Sequence, residues 1–480
     1  MPLHLYNSYT RCKQPFVPLV AGAVSLYVCG VTVYDYCHLG HARTYVVWDM
    51  VRRYLARRYS VTLVQNITDI DDKIIRRAEE RQVAMSALVA EFIAAYDEDM
   101  ARLNVLPADR YPRATESIPQ MIALIRTLEE RGIAYASGGD VYYGVQAFPR
   151  YGQLSGRSLS GMQAGASGRV EEGDPFKRYP LDFALWKAAK PHEPAWDSPW
   201  GRGRPGWHIE CSAMVRAELG DSIDIHAGGM DLQFPHHENE IAQSEAVTGQ
   251  PLAQFWLHNG FVNIDGEKMS KSLHNFRTIR EILAVFHPMA VRWFILQAHY
   301  RQPIDFTEAA MQAATKSWES LWDAWRCGVL LAEVLPSSPL PEVIARFEAA
   351  MDDDLNTAVA LAVLLELAKP LRSTWHRVQH GGTLTGDRAQ LARTWQTLHE
   401  IATDLGFCFS DPELKPAATE PEDTTWIETL IAHRRQAKGD RNYAEADRIR
   451  QELGARGITL IDQPGGVTLW RRSDATSATK

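Results

Sequence analysis

The sequence predicts an α/β protein: a doubly wound, Rossmann-like parallel-sheet catalytic domain split by an insertion, followed by a helical bundle and a small C-terminal domain. Three observations predict it. The run Ser25–Cys29 is apolar and β-prone, ends at Cys29-Gly30, and gives way across a short polar loop to a helix. The apolar face of that helix, Val46, Val47, Met50, Val51, Tyr54 and Leu55, recurs at three- and four-residue spacing. Strand and helix keep alternating afterwards, as parallel βαβ units do. From Thr307 to Leu405 the pattern is nearly all helical.

At 480 residues the chain exceeds one ordinary core, and about three or four domains are expected. Residues 1–115 form the first half of the catalytic domain: an irregular lead-in over 1–24, the opening strand and helix, a second parallel strand at Val61–Ile67, and helices near Asp72–Arg81 and Met85–Leu103. Residues 116–206 are a connective insertion. It opens with a helix over about Glu116–Arg131, with Thr115 as cap and Pro119 in the first turn. Gly, Pro, Ser and Tyr then dominate, with short β-like pieces such as Val141–Val145. Residues 207–250 resume the catalytic domain with a helix near Ile209–Leu219, a strand at Ser222–His226 and a helix at His236–Val247. Residues 251–306 carry a β-like run, Trp256–Ile264, and a basic loop, and 307–410 are the bundle. A polar linker over 411–423 precedes a small domain at 424–472, with one or two helices and a hairpin-like end, and the tail 473–480 is expected to be disordered.

Composition narrows the function. Apolar residues at 45% and charged residues at 23% suit a soluble globular protein. The net charge of −8 means that any nucleic-acid contact must come from local basic patches. One such patch runs from Arg434 to Arg472, where nine Lys and Arg face five Asp and Glu, a local net of +4, with Tyr443 and Trp470 interleaved. A solvated charged helix would look the same. No run is long enough to span a membrane, and Met1-Pro2-Leu3-His4 lacks a signal-peptide layout, so a cytoplasmic protein is expected. The cysteines (Cys12, Cys29, Cys37, Cys211, Cys327 and Cys408) are scattered, which fits thiols or metal ligands better than disulfides.

Two stretches carry candidate chemistry. His38-Leu39-Gly40-His41 lies between strand and helix, where an α/β sheet binds ligands and a helix N-terminus offers free N–H groups to an anion. Its alternative is a polar helix start with two solvated histidines. Lys268-Met269-Ser270-Lys271-Ser272 puts two lysines and two serines on one loop, as a polyphosphate clamp would, or as solvated surface would. A metal site is a third candidate. Cys29, Cys211, His236 and Glu240 offer two thiolates, an imidazole and a carboxylate, a donor set suited to Zn²⁺. His236 and Glu240 are four apart, on one helix face, with Glu238 pointing away. Cys29, Cys37, His38 and His41 form a local rival set, and simple burial of the thiols is a third reading.

HLGH after a first strand, with KMSKS after a late one, resembles the two signature motifs of class I aminoacyl-tRNA synthetases. Cys29-Gly-Val-Thr-Val-Tyr-Asp, Asn66-Ile-Thr-Asp-Ile-Asp-Asp-Lys73, Pro205-Gly-Trp-His-Ile-Glu-Cys-Ser-Ala-Met214 and Phe234-Pro-His-His-Glu-Asn-Glu240 look like the cysteinyl-tRNA synthetase family, and the likeness runs from about residue 4 to Arg472. HLGH stands where the family often shows HIGH.

The resemblance implies a zinc-dependent enzyme that activates cysteine with ATP and Mg²⁺ and passes it to tRNA(Cys). It implies that one Zn²⁺ is held by Cys29, Cys211, His236 and Glu240, which removes the local rival set. His38, Gly40 and His41, with Lys268 and Lys271, would bind ATP, and the two histidines and two lysines would act on its phosphates. Asp231 would take the ribose, unless it only caps the following helix. Thr32, Thr68, Trp207 and His226 would line the cysteine pocket. Zinc would select the thiol, so residues 135–206 are not expected to be an editing domain. The match over Ala444–Arg450 and Asp462–Arg472 implies anticodon binding, with Lys438, Tyr443, Asp447 and Asp462 as contacts, and the family implies a monomer. Two rivals stay in view: a cysteine ligase joining cysteine to an amino sugar–inositol, and a non-catalytic RNA-binding paralogue.

Overall fold

The computed structural model describes residues 2–159, 175–191, 193–269, 276–409, 421–439, 442–455, 458–462 and 468–472. The chain divides into two units, one of residues 1–373 and 385–407, the other of 374–384 and 408–480.

The first unit opens with a hairpin, β1 (His4–Asn7) and β2 (Cys12–Pro15). β3 (Ala23–Thr32), α1 (Leu39–Ala56), β4 (Ser60–Thr68), α2 (Asp72–Arg81) and α3 (Met85–Arg102) follow. α4 (Ile118–Glu130) then leads to the insertion's antiparallel sheet of β5 (Ala134–Ser137), β6 (Asp140–Tyr143), β7 (Phe183–Ala188) and β8 (Gly203–Pro205). α5 (Trp207–Leu219), β9 (Ile223–Gly229), α6 (Glu238–Thr248) and β10 (Ala253–Asn259) return the chain to the first sheet. That sheet runs β10-β9-β3-β4, and every pair in it is parallel. The chain moves from β3 outward to β4, then from β9 outward to β10 the other way. The crevice between β3 and β9, beyond their carboxyl ends, is therefore the topological switch point where such sheets bind ligands.

Three details depart from the sequence reading. Trp256–Ile264 is not one strand. It breaks at Gly260-Phe261 into β10, which joins the parallel sheet and carries it past residue 250, and β11 (Val262–Ile264), which belongs to a different sheet. Thr115 does not cap α4. It lies in a preceding 3₁₀ turn, where its N–H and hydroxyl donate to Asp69. The His236–Val247 helix starts later, at Glu238, because Phe234 is extended (φ −142°, ψ 131°) and breaks the turn that leads into it.

β11 pairs antiparallel with β12 (Glu267–Lys268) and parallel with β13 (Ile304–Phe306). Between them lie α7 (Ile279–Leu283) and α8 (Pro288–Leu296). The helical part is α9 (Glu308–Arg326), α10 (Pro341–Asp352), α11 (Thr357–Gln379) and α12 (Arg388–Asp404). The core runs from Tyr27 and Val64 of the sheet through Ile209, Met214 and Ile241 of α5 and α6 to Val141 and Trp186 of the insertion. The second unit holds α13 (Pro421–Gly439), α14 (Tyr443–Ala455) and an antiparallel pair, β14 (Ile458–Asp462) and β15 (Thr468–Arg472). Ile427 and Ile431 of α13 pack on Ile449 and Leu453 of α14. Residues 411–420 of the expected linker and the tail 473–480 lie outside the described residues. Among the described residues no helix is long and apolar enough to cross a membrane.

Candidate active site

β3 carries the first site residue to the switch point and bends there. Its pairing with β4 shifts register between Val28 and Val31. Gly30 sits in this bulge, donating its N–H to Asn66 Oδ1 at 2.8 Å, and a Cβ on it would lie 1.5 Å from the Asn66 carbonyl oxygen. Only glycine admits so close an approach.

The loop after β3 ends in a reciprocal cap. Nδ1 of His38 accepts the N–H groups of Gly40 (3.0 Å) and His41 (3.4 Å), and Nδ1 of His41 accepts the N–H of His38 (3.2 Å). The rings stack at 3.9 Å. A backbone N–H can only donate, so each neutral ring keeps its proton on Nε2 and offers that nitrogen as a donor. The helix that starts here adds its own positive end. Described residues on either side of the downstream signature stretch pack on the same turn. The Met269 side chain lies 3.3 Å from where a Cβ of Gly40 would be, the Phe276 ring meets His38, Leu39 N–H donates to Arg277 O (3.0 Å), and Ile279 N–H donates to Cys37 O (2.9 Å). Lys268 is on β12 opposite Asn263, and Lys271 lies outside the described residues.

Beneath this turn four buried side chains from three segments converge: Cys29 on β3, Cys211 on α5, and His236 and Glu240 about the start of α6, with their ligand atoms all within 4.8 Å of one another. The Cys29 and Cys211 sulfurs are 4.0 Å apart, Cys29 Sγ is 3.7 Å from Glu240 Oε1, and His236 Nε2 is 3.0 Å from the same oxygen. Tetrahedral Zn²⁺, with bonds of about 2.3 Å to sulfur and 2.0 Å to nitrogen or oxygen, sets sulfur–sulfur, sulfur–oxygen and nitrogen–oxygen edges of about 3.8, 3.5 and 3.3 Å. The observed edges fit within a few tenths of an ångström.

A second quartet, Cys29, His226, His237 and Glu240, shares two members with the first. Its edges are tighter: His226 Nε2 lies 2.8 Å from Glu240 Oε2, and His237 Nε2 lies 3.2 Å from Cys29 Sγ. His226 and His237 thus lie within hydrogen-bond reach of Glu240 and Cys29, the two members that the quartets share. His208 stands likewise to His236, Nδ1 to Nδ1 at 3.0 Å, and His258 Nε2 lies 2.9 Å from His237 Nδ1. The local set Cys29, Cys37, His38 and His41 does not assemble among the described residues.

The electrostatics match a metal-binding cluster. A hydrogen bond from Cys29 draws the Cys211 thiol down to about 6. Burial would depress His236, but Glu240 and Cys211 raise it to about 10. Burial pushes the Cys29 thiol up, and His226 and His236 overcome burial to hold Glu240 well below the carboxylate range.

Of the expected pocket residues, Thr32 and Thr68 face each other in register at the ends of β3 and β4. The Thr68 hydroxyl donates to Glu210 Oε2 at 2.8 Å, so it is held by the protein. Trp207 opens α5 with its ring stacked on His236 at 4.1 Å. Asp231 is exposed in the turn after β9. The insertion holds this region directly. Gly206 N–H donates to Leu185 O at 2.9 Å, and the buried Glu238, between His236 and Glu240 in sequence, accepts N–H groups from Gly152 (2.8 Å) and Ser155 (2.9 Å).

Sequence reading missed His208, His237 and His258. The first two lie within the motifs quoted, near Cys211 and His236; His258 hides in an apolar strand, and only the fold brings it in. In the second unit Lys438, Tyr443 and Asp447 are exposed, and Asp462 ends β14. The local basic excess is partly neutralised: Arg448 pairs with Glu445 and Glu452, and Arg434 is buried.

A switch-point crevice with a histidine-capped helix, packed against residues on both sides of a second signature stretch, marks a class I aminoacyl-tRNA synthetase. Residues 15–316 match the family described as tRNA synthetases class I (C) catalytic domain, and residues 346–410, in the helical part, match the DALR domain. Mycobacterium tuberculosis methionyl-tRNA synthetase in complex with methionyl-adenylate shares the fold at TM-score 0.54 and 15% identity, over 80% of this chain and 89% of that one. The LeuRS of Agrobacterium radiobacter, in a ternary complex with tRNA and LeuAMS, does so at TM-score 0.56 and 11% identity, over 82% and 86%. Two cysteine–tRNA ligases are far more similar in sequence. That of Synechococcus elongatus is 58% identical over 481 residues, 98% of this chain and 100% of that protein. That of Gloeobacter violaceus is 54% identical over 485 residues, 99% and 100%. The chain belongs to the cysteine–tRNA ligase family.

Proposed function

We propose that the protein activates L-cysteine with ATP to cysteinyl adenylate, transfers the cysteinyl group to the 3′ end of tRNA(Cys), and selects cysteine through a Zn²⁺ held by Cys29, Cys211, His236 and Glu240. The observation that carries the zinc assignment is the convergence of two buried sulfurs, an imidazole and a carboxylate at near-tetrahedral edges. Bound there, Zn²⁺ supplies a soft Lewis acid that prefers sulfur to a hydroxyl oxygen. That preference matters because an apolar pocket separates near-isosteres only by about 10–200-fold.

In the first step the cysteine carboxylate attacks the α-phosphorus of ATP, the bond to the β-phosphate breaks, and pyrophosphate leaves with Mg²⁺. In the second, a hydroxyl of the terminal ribose attacks the acyl carbon and AMP leaves. The protein's part is positioning and charge stabilisation. His38 and His41 offer Nε2 donors, and with the Gly40 turn at the start of α1 they receive the phosphates. Lys268 and Lys271 hold the β- and γ-phosphates, and Asp231 accepts from the ribose. Trp207 and Thr32 bound the cysteine side, where Thr68 acts through Glu210 and His226 through Glu240. The second unit takes the anticodon, with Lys438 on phosphate, Tyr443 stacking on a base, and Asp447 or Asp462 accepting from a base edge.

The deciding experiment charges an unfractionated tRNA pool with labelled cysteine and ATP, with serine in parallel. Cysteine-only charging is expected. Adenylate formation without transfer would point to a small-molecule acceptor, and no adenylate at all would remove the reading.

A further inference from the structure

Arg43 lies two residues beyond the His38/His41 cap, fully buried, and no carboxylate pairs with it among the described residues. Its guanidinium instead gathers three backbone oxygens. Nη1 donates to Phe261 O at 2.7 Å, and Nη2 donates to Tyr300 O at 3.1 Å and to Gln302 O. Two of these oxygens already join the same two segments: Phe261 O accepts the Ile304 N–H at 3.0 Å, and Tyr300 O accepts the Gly260 N–H at 2.8 Å. The segments are packed so tightly that a Cβ on Gly260 would lie 2.5 Å from Gln302 O. They are the roots of β11 and β13, which run on in parallel from Val262 and Ile304. β11 in turn pairs with β12, where Asn263 faces Lys268. One side chain thus ties the helix turn of the first signature to the strand that faces the second. An uncompensated buried cation is costly, and a planar fork is the side chain that reaches several oxygens at once.

We propose that Arg43 is a positioning residue for ATP activation: its guanidinium fixes the root of the β11–β13 pair, and with it the strand carrying Lys268, against the first turns of α1. It rests on the adenylation reading above. It reaches the phosphates only through those two elements, so the adenylation step should feel its loss more than the transfer step, which uses the adenylate already bound.

The test compares wild type with Arg43→Lys and Arg43→Gln in the full chain. Lysine keeps the charge but brings a single point donor; glutamine keeps two N–H donors without the charge. Both variants should fold and hold as much zinc as wild type, with an unchanged KM for cysteine. In rapid-quench single turnover, adenylate formation should slow by about 10- to 100-fold, while transfer from preformed cysteinyl adenylate should change by no more than about 2-fold. Amide exchange at Gly260 and Ile304 should accelerate. The proposal is overturned if adenylate formation stays within about 2-fold of wild type, if both steps fall together in proportion to the folded fraction, or if neither variant folds. Absence of cysteine-dependent pyrophosphate exchange in wild type would overturn the adenylation reading itself, and this proposal with it.

Discussion

His226 touches no surface, and its Nε2 lies 2.8 Å from Glu240 Oε2, so its effect on a metal held by Glu240 would run through that carboxylate. Removing such an outer partner costs about 10–100-fold in metal affinity. His226→Ala should therefore weaken Zn²⁺ binding by about that factor, read by competition with a chromophoric chelator; an unchanged affinity would take His226 out of the site. The metal-free cluster also makes a pH prediction. Zn²⁺ needs both thiolates and a neutral His236. Near pH 7.5 the Cys211 thiol, drawn down to about 6 by its hydrogen bond from Cys29, has already lost its proton, while Cys29 and His236 still hold theirs. Zinc uptake should then release about two protons, rising to about three below pH 6 as Cys211 regains its own. Indicator-dye titration in weak buffer reads this directly, and a release independent of pH would mean that the two sulfurs do not share a proton.

β3 and α1 carry the site between them, and each is vulnerable at one place. In β3 it is Gly30, where a methyl group would run into the Asn66 carbonyl. Gly30→Ala should cost about 3 kcal/mol or more, the upper end of overpacking penalties, because the obstruction is backbone and cannot rotate away. A urea melt measures it, and a loss under about 1 kcal/mol would mean that the bulge is soft. α1 is anchored along its length: Arg43 at its start, then Asp49 with the buried Arg292, then Arg57 among Glu348, Glu400 and Asp404 of α10 and α12. Arg57→Met should destabilise the protein by about 1–3 kcal/mol, between an exposed pair and a buried one, since Asp404 would keep its burial and lose its cation. The elements themselves were legible from the sequence. α2 has the predicted bounds, and the helical pattern from Thr307 to Leu405 is met by α9 to α12, because apolar spacing fixes a helix that packs on one side. Breaks were harder to read. Trp256–Ile264 is uniformly β-prone, and only the Gly260 approach to Gln302 shows that it serves two sheets.

For the whole molecule, the two units allow a separation of tasks. Deleting the chain from Thr424 removes the Ile427, Ile431, Ile449 and Leu453 core and leaves the first unit's sheets and cluster in place. Pyrophosphate exchange should survive, while tRNA charging should fall by about one to two orders of magnitude, as expected when one stacked base at about 1–3 kcal/mol is lost. Equal survival of both would deny the second unit any part in tRNA recognition. At this scale the sequence was informative where motifs are contiguous and silent where they are not. The cysteine-bearing segments pointed to Cys29, Cys211, His236 and Glu240, which the fold brings together, yet Arg43 gave no sign, since its partners are backbone oxygens some 220 to 260 positions away. Glu238 shows what such long-range dependence does to modularity. Its neighbours His236 and Glu240 face the buried cysteine cluster while it turns to Gly152 and Ser155, so one turn of chain binds in both directions. A protein engineer who trimmed the insertion to a short tether would strand a carboxylate in the interior, directly between His236 and Glu240. The insertion is therefore a wall of the buried cysteine cluster, and a minimal protein cut back to the parallel sheet would lose the geometry of that cluster before it lost the histidine cap of α1.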